Sequence, residues 1–296
     1  MPFEPGSGLV RHGTGAAVRM AALAERRVSP VAGWAKRVSA FSLVLLVTAC
    51  VGHRYGMVET VAFFWVLGLA FALAVLGFGL AMGGFNRLWV HGEKAGRASL
   101  AATLLSSLVL APFLFAAYLV VTHPALNDMS TDLSEPPQFV VAPRLRTARM
   151  NTIVPISPEA AERQLQHYPD VSGRRYDASL NRVLSAVVAV MQANGWRPRG
   201  RLPGPDTLIQ GPGLSIEAEA PSFLLRLPAD AVVRLTDEGE STFVDMRLNI
   251  RYGKHDFGSN ARRIRGFMAQ LDAEFARQTL QIIDIPPSDE DEDAVD

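Results

Sequence analysis

Three stretches of this chain are too apolar for the surface or loops of a water-soluble fold, and they limit everything else the sequence can do. They are "VSAFSLVLLVTACVG" at 38–52, "VAFFWVLGLAFALAVLGFGLAMGGF" at 61–85 and "LAATLLSSLVLAPFLFAAYLVV" at 100–121. A bilayer core takes about 20 apolar residues of helix. The second and third stretches meet that length. The first is short, so its flanks at Arg37 and His53 are expected at the interfaces. None of the three holds a charged residue, so none reads as a proton relay or ion pathway. Pro112 is expected to kink the third helix, which membrane helices tolerate.

The basic residues around these spans predict an orientation. The N-terminal tail carries Arg11, Arg19, Arg26, Arg27, Lys36 and Arg37, and the loop between the second and third spans carries Arg87, Lys94 and Arg97. The loop between the first two has Arg54 beside Glu59, and "THPALNDMSTDLSEPP" after the third has neither Lys nor Arg. The tail and second loop are therefore expected in the cytoplasm, with residues after about 122 in the periplasm of a bacterial inner membrane. Charge is balanced, 29 basic against 29 acidic residues, so no nucleic-acid partner is expected. The single cysteine, Cys50, precludes an intrachain disulfide. "VTAC" resembles a lipoprotein cleavage box, but two further spans follow, and the simpler reading is a small apolar residue in a helix.

Beyond the spans the organisation reads as follows. Residues 1–37 form a basic tail, 38–121 the membrane region, 122–175 a Pro-rich linker or wrap, 176–283 a folded domain and 284–296 an acidic tail. Ser157-Pro158 marks the start of a short helix. Leu180, Val183, Leu184, Val187, Val190 and Met191 recur at helical spacing, capped by Asp177 or Ser179 and ended by Asn194-Gly195. Short alternating runs follow: "DTLIQ", "LSIEAEA", "SFLLRL", "DAVVRLT" and "STFVDMRLNIR". Ile264, Phe267, Met268, Leu271 and Phe275 mark a closing helix. The expected fold is α+β: three transmembrane helices, then a two-layer domain with an antiparallel sheet of about five strands and two helices on one face.

Alternation assigns the two sheet faces. In the last strand Val244, Met246, Leu248 and Ile250 share one face, and Asp245, Arg247, Asn249 and Arg251 share the other. Arg226 and Arg234 fall on the polar phase of their strands, as do Glu217 and Glu219. The expected second face is therefore uncovered. Its charges would pair across strands, each exposed pair worth only about 0.2–1 kcal/mol.

The stretch "RYGKHDFGSN", 251–260, joins that strand to the closing helix. Gly253 and Gly258 permit a sharp turn, Ser259 or Asn260 can cap the helix, Asp256 favours its positive end, and Arg263 can reach back to the turn. That accounts for the residues structurally. The alternative uses the same geometry as an anion site, with Arg247, Arg251 and Lys254 beside a helix N-terminus.

The motif "RLNIRYGKHDFGSNARRI" resembles the closing run of the bacterial family called domain of unknown function 1499, in its membrane-anchored form. Arg247, Arg251, Gly253, Asp256, Gly258, Asn260, Arg263 and Ile264 fall at matching spacing. "YPD" at 168–170, "NGW" at 194–196, "IEAEA" at 216–220 and "DAVVRL" at 230–235 are similar too. Two serines of the family motif are Leu248 and Ile250 here, and an acidic pair is reduced to Asp230 beside Ala229. The resemblance implies a fold and an envelope location, and no activity.

Nothing in the spacing of His123, His167 and His255 suggests a metal site, and no nucleophile motif is present. No catalytic residue, metal or cofactor is therefore assigned. The expected function is a membrane-anchored binding or interaction domain in the envelope. Its ligand would be an anionic small molecule or lipid head group, held by Arg247, Arg251, Lys254, Asp256, Asn260, Arg263, Arg234 and Glu217. The alternative is an enzyme acting on an anionic lipid or ester. The sequence names no protein partner.

Overall fold

The structure is a computed structural model that describes residues 27–200 and 213–283. The chain forms two compact units, Met1–Leu114 and Phe115–Asp296.

Within the first unit, α1 (Pro30–Arg54), α2 (Thr60–His91) and most of α3 (Gly96–Thr122) are long and apolar enough to cross a membrane. Each is longer than its apolar run, and Pro30 at the first turn lets α1 begin well before Val38. Small residues line their contact: Ala35, Ser39 and Ser42 on α1, Ala70, Ala74, Gly77, Ala81 and Gly84 on α2, and Ser99, Ala102 and Ser106 on α3. The α2 set repeats every seven residues in two interleaved rows, so one seam stays in contact along the helix. Apolar side chains gain nothing by leaving lipid, so close packing and hydrogen bonds hold such helices together. Ser39 Oγ lies 2.8 Å from Ser106 Oγ, and Ser42 Oγ donates to the Ala70 carbonyl at 2.9 Å. A methyl group on Gly77 would run into the Ser39 hydroxyl. Cys50 is a free cysteine within α1.

The second unit is built on a six-stranded antiparallel sheet. Its strands are β1 (Asp128–Ser130), β2 (Arg174–Tyr176), β3 (Arg197–Pro198), β4 (Gly213–Glu219), β5 (Ala229–Asp237) and β6 (Thr242–Ile250). The order is β1-β6-β5-β4-β3, and β2 shares the β6 edge with β1. The short helices α4 (Ala142–Leu145) and α5 (Pro158–His167) precede β2. Two longer ones, α6 (Leu180–Ala193) and α7 (Ser259–Ile283), cover one face. As expected from their spacing, Leu184, Val187, Ile264 and Leu271 are buried against Val233, Leu235, Val244, Met246 and Leu248. Trp196 stacks on Phe267 with centroids 4.9 Å apart. Ser157 caps α5, its hydroxyl accepting the Ala160 N–H at 3.2 Å.

Two expectations need correction. "SFLLRL" is not a strand: it is the turn between β4 and β5, closed by Ser222 N–H to the Leu227 carbonyl at 2.9 Å, with Arg226 at φ 52°. Arg226 therefore lies off the sheet face. The segment after α3 contributes β1, which pairs Asp128 with Asn249 and Ser130 with Arg247. The second sheet face is not open to solvent either. Phe139, Ala142 and Ile153 pack on Val232 there, and Asp230, Asp245, Arg247 and Asn249 are each about 1% exposed. "DTLIQ" and the acidic tail fall outside the described residues.

Candidate functional site

The covered face brings most of the candidate residues together, but with partners from within the chain. Antiparallel register sets Arg247 opposite Val232, Arg234 opposite Asp245 and Asn249 opposite Asp230, on the side away from the helices. Each charge then meets its complement. The Arg247 guanidinium donates to both Asp128 carboxylate oxygens, at 3.0 and 2.7 Å, and to the Val154 carbonyl at 2.8 Å. It lies over the Phe139 ring, 5.4 Å from the centroid. Arg251 donates to both Asp230 oxygens, at 3.1 and 2.7 Å, and pairs with Glu219 at 3.1 Å. Arg146 and Arg199 also pair with Asp230, at 2.7 and 3.0 Å. Arg234 bridges Asp132 and Asp245 at 3.0 and 2.8 Å.

Glu217 has a different solution. Its carboxylate accepts the backbone N–H groups of Val140, Val141 and Ala142, where α4 begins. Three converging N–H donors stabilise an anion much as a helix N-terminus does. The anion bound there is the protein's own side chain.

Electrostatics follow this pairing. Burial alone would raise the pKa of Asp230, but Arg251, Arg146 and Arg199 overcome it and hold the carboxyl below its usual range. Asp132 behaves the same way: burial is outweighed by the backbone N–H groups of Glu135 and Ser134 and by Arg234. Removing one partner from such a buried network costs far more than a surface pair is worth.

The turn before α7 is arranged differently. Asp256, 3% exposed, accepts the N–H of Gly258 at 3.0 Å and of Asn260 at 2.7 Å. Asp256 is thus the cap, in place of Ser259 or Asn260. Burial raises its pKa, against the pull of those two N–H groups. Gly253 and Gly258 take left-handed φ of 84° and 66°, and Phe257 does so at 55°. The His123 ring fills the space where a Gly258 side chain would sit. His255 Nε2 lies 3.0 Å from the His123 carbonyl.

Arg263 does not reach back to that turn. It donates to the Ala220 carbonyl and forms no ion pair with any described carboxylate. Burial lowers its pKa to about 10, with only the Asp256 charge opposing. The buried Tyr168 hydroxyl and Asn260 Oδ1 have no hydrogen-bond partner among the described residues. Burial and the Asp256 charge raise the Tyr168 pKa. Lys254 is exposed. Among the described residues, no group of three or more His, Cys, Asp or Glu could hold a metal ion.

The eight candidates therefore divide. Arg234, Arg247, Arg251 and Glu217 lie in the paired network of the sheet face, whereas Asp256 and Asn260 lie at the turn, with Lys254 at its surface and Arg263 following in α7. Sequence reasoning missed Asp128, Asp132, Arg146, Arg199 and Tyr168. Four are single charges in irregular chain or the shortest strands, where periodicity carries no signal. Tyr168 was visible in the "YPD" match, without a role.

The family model "Protein of unknown function (DUF1499)" matches residues 128–271. The domain belongs to that family. The match opens on β1 and closes within α7, so it takes in every strand as well as the wrap over the second face. Comparison with curated proteins finds no match. The DUF1499 positions picked out in the sequence split between two tasks. Arg247 and Arg251 neutralise buried carboxylates, and Asp256 and Asn260 shape the turn, while Arg263 does neither and donates to the Ala220 carbonyl.

Proposed function

We propose that this is an integral protein of the bacterial inner membrane, with its N-terminus in the cytoplasm. Its DUF1499 domain then lies in the periplasm and binds an anionic group at the turn that opens α7. The charge network of the sheet face is scaffold in this reading. One observation carries the assignment: Arg263 is a part-buried guanidinium that forms no direct ion pair with any described carboxylate, whereas Arg146, Arg234, Arg247 and Arg251 each form one. A phosphate or carboxylate oxygen would supply the direct ion pair that Arg263 lacks, adding to the more distant Asp256 charge. The Tyr168 hydroxyl is a second donor, and Lys254 an outer positive charge.

The test is calorimetric titration of the detergent-purified chain with inorganic phosphate and with glycerol phosphate. A charged hydrogen bond is worth about 1.5–3 kcal/mol, so Arg263→Gln should weaken binding by roughly 10–100-fold. No heat of binding in the wild type, or equal affinity in the variant, refutes the site. The enzymatic alternative is read in the same preparation, as turnover of a phosphate or carboxylate ester.

A further inference from the structure

We propose that His255 is an acid-sensitive latch: while its ring is neutral it fastens the turn that opens α7 to the chain leaving α3, and protonation of the ring releases it.

The two partners of the ring fix its protonation state. Nδ1 lies 2.9 Å from the Phe257 backbone nitrogen, and an N–H can only donate, so Nδ1 must be a bare acceptor. Nε2 lies 3.0 Å from the His123 carbonyl, which can only accept, so Nε2 must carry the ring hydrogen. The neutral imidazole with its hydrogen on Nε2 satisfies both partners. The imidazolium does not, because a proton added at Nδ1 sets that N–H against the N–H of Phe257. The closed latch therefore binds a proton fewer than the open one, and falling pH favours opening. Among ordinary side chains, the imidazole is the one that changes charge between about pH 5 and 8. His255 is half-buried, so solvent can deliver the proton. A second strut joins the same segments, with Asp256 N–H donating to the Leu126 carbonyl at 3.2 Å.

What the latch holds is strained. Phe257 sits at φ 55°, a left-handed conformation that a side chain disfavours, and its N–H is the group that His255 accepts. The neighbouring His123 is not the sensor. The Thr122 hydroxyl donates to the Tyr118 carbonyl at 2.9 Å, so it accepts from His123 Nδ1, also at 2.9 Å, and that contact tolerates a charged ring. The charged and titratable groups around His255 come from three segments. Lys254 and Asp256 flank it in the turn, His123 faces it from the end of α3, and Arg262 and Arg263 follow in α7, where Arg262 donates to the Phe257 carbonyl at 3.2 Å. Asp256 attracts a proton to the ring, and the three cations oppose it. None of them reverses the direction, because both hydrogen bonds require a bare Nδ1. Asp256 is the rival sensor: burial raises its pKa, and protonating it would weaken the cap it forms on Gly258 and Asn260.

The experiment is hydrogen exchange of the full chain in detergent, read by mass spectrometry on peptides covering 253–262 at about pH 8 and about pH 5. No ligand is needed. After correction for the intrinsic pH dependence of exchange, protection in the wild type should fall roughly tenfold in acid, as for the loss of a hydrogen bond. His255→Asn supplies a side-chain oxygen that accepts the Phe257 N–H and does not titrate, so its protection should be the same at both pH values. His255→Lys offers no acceptor and should exchange fast at both. His123→Phe keeps the backbone carbonyl and should keep the acid response. Equal protection of the wild type at the two pH values overturns the proposal. So does an acid response that survives in His255→Asn, which would assign it to Asp256, or one that vanishes in His123→Phe. A His255→Lys chain as protected as the wild type in the alkaline sample overturns it too, because the acceptor would then hold nothing.

Discussion

Arg247 offers the sharpest test of how this domain holds itself together. Its guanidinium is 1% exposed, donates to both oxygens of Asp128 and to the Val154 carbonyl, and lies over Phe139. Replacing it with Met keeps the stem and removes every one of those donors. Asp128 is then left with the Asn249 amide at 2.9 Å and no charge to balance its own. Breaking one side of a buried pair costs about 3–5 kcal/mol. Whole domains have about 5–15 kcal/mol of stability, so Arg247→Met should leave the domain marginal. If the loss comes from the stranded carboxylate, Asp128→Asn in the same chain should return part of it. The double variant should then cost clearly less than the sum of the two single ones. Urea unfolding of the detergent-solubilised chain measures all three. A single-variant cost under about 1 kcal/mol would place Arg247 among ordinary surface pairs. Additive costs would show that Arg247 and Asp128 act independently, and either result refutes the reasoning.

Two further outcomes are expected. Asp230 has a depressed pKa in the folded chain, so its stabilising effect is present above the ordinary Asp range and is lost as pH falls through the lowered value. Asp230→Asn should therefore destabilise the domain at neutral pH and by less and less under acid, read from melts at a series of pH values; a pH-independent difference would contradict it. For topology, alkaline phosphatase fused after residue 130 should be active and after residue 92 inactive, and the reverse pattern would invert the orientation.

Much of this architecture is legible because it repeats. Val183, Val187 and Val190, or Val244, Met246 and Leu248, announce their faces by spacing alone, and all six are buried where that spacing puts them. The cover on the other face does not repeat. It depends on three backbone N–H groups meeting Glu217 and on Phe139 meeting Val232, contacts between an irregular segment and strands far along the chain. Backbone donors are the same in every residue, so nothing in Val140, Val141 or Ala142 advertises the role. A polar phase of Asp245, Arg247 and Asn249 reads equally as a wet surface or a sealed network, and only the covering chain decides between them. The turn shows the same limit. Asp256, Gly258 and Asn260 were visible as a group, but that Arg263 would turn to Ala220 depends on where another hairpin ends.

The pairing of β1 with β6 also governs the order in which the domain is made. Asp128 and Arg247 are 119 positions apart, yet neither charge has its buried partner until both have left the ribosome. At about 5–20 residues per second, synthesis separates them by roughly 6–24 s. For that interval β1 and the carboxylate of Asp128 wait without the strand that pairs with them. Closing so long a loop makes the pairing a late event and a slow one. A chain cut short before β6 would keep β4 and β5 under the wrap but leave β1 without the strand it pairs with and Asp128 without Arg247.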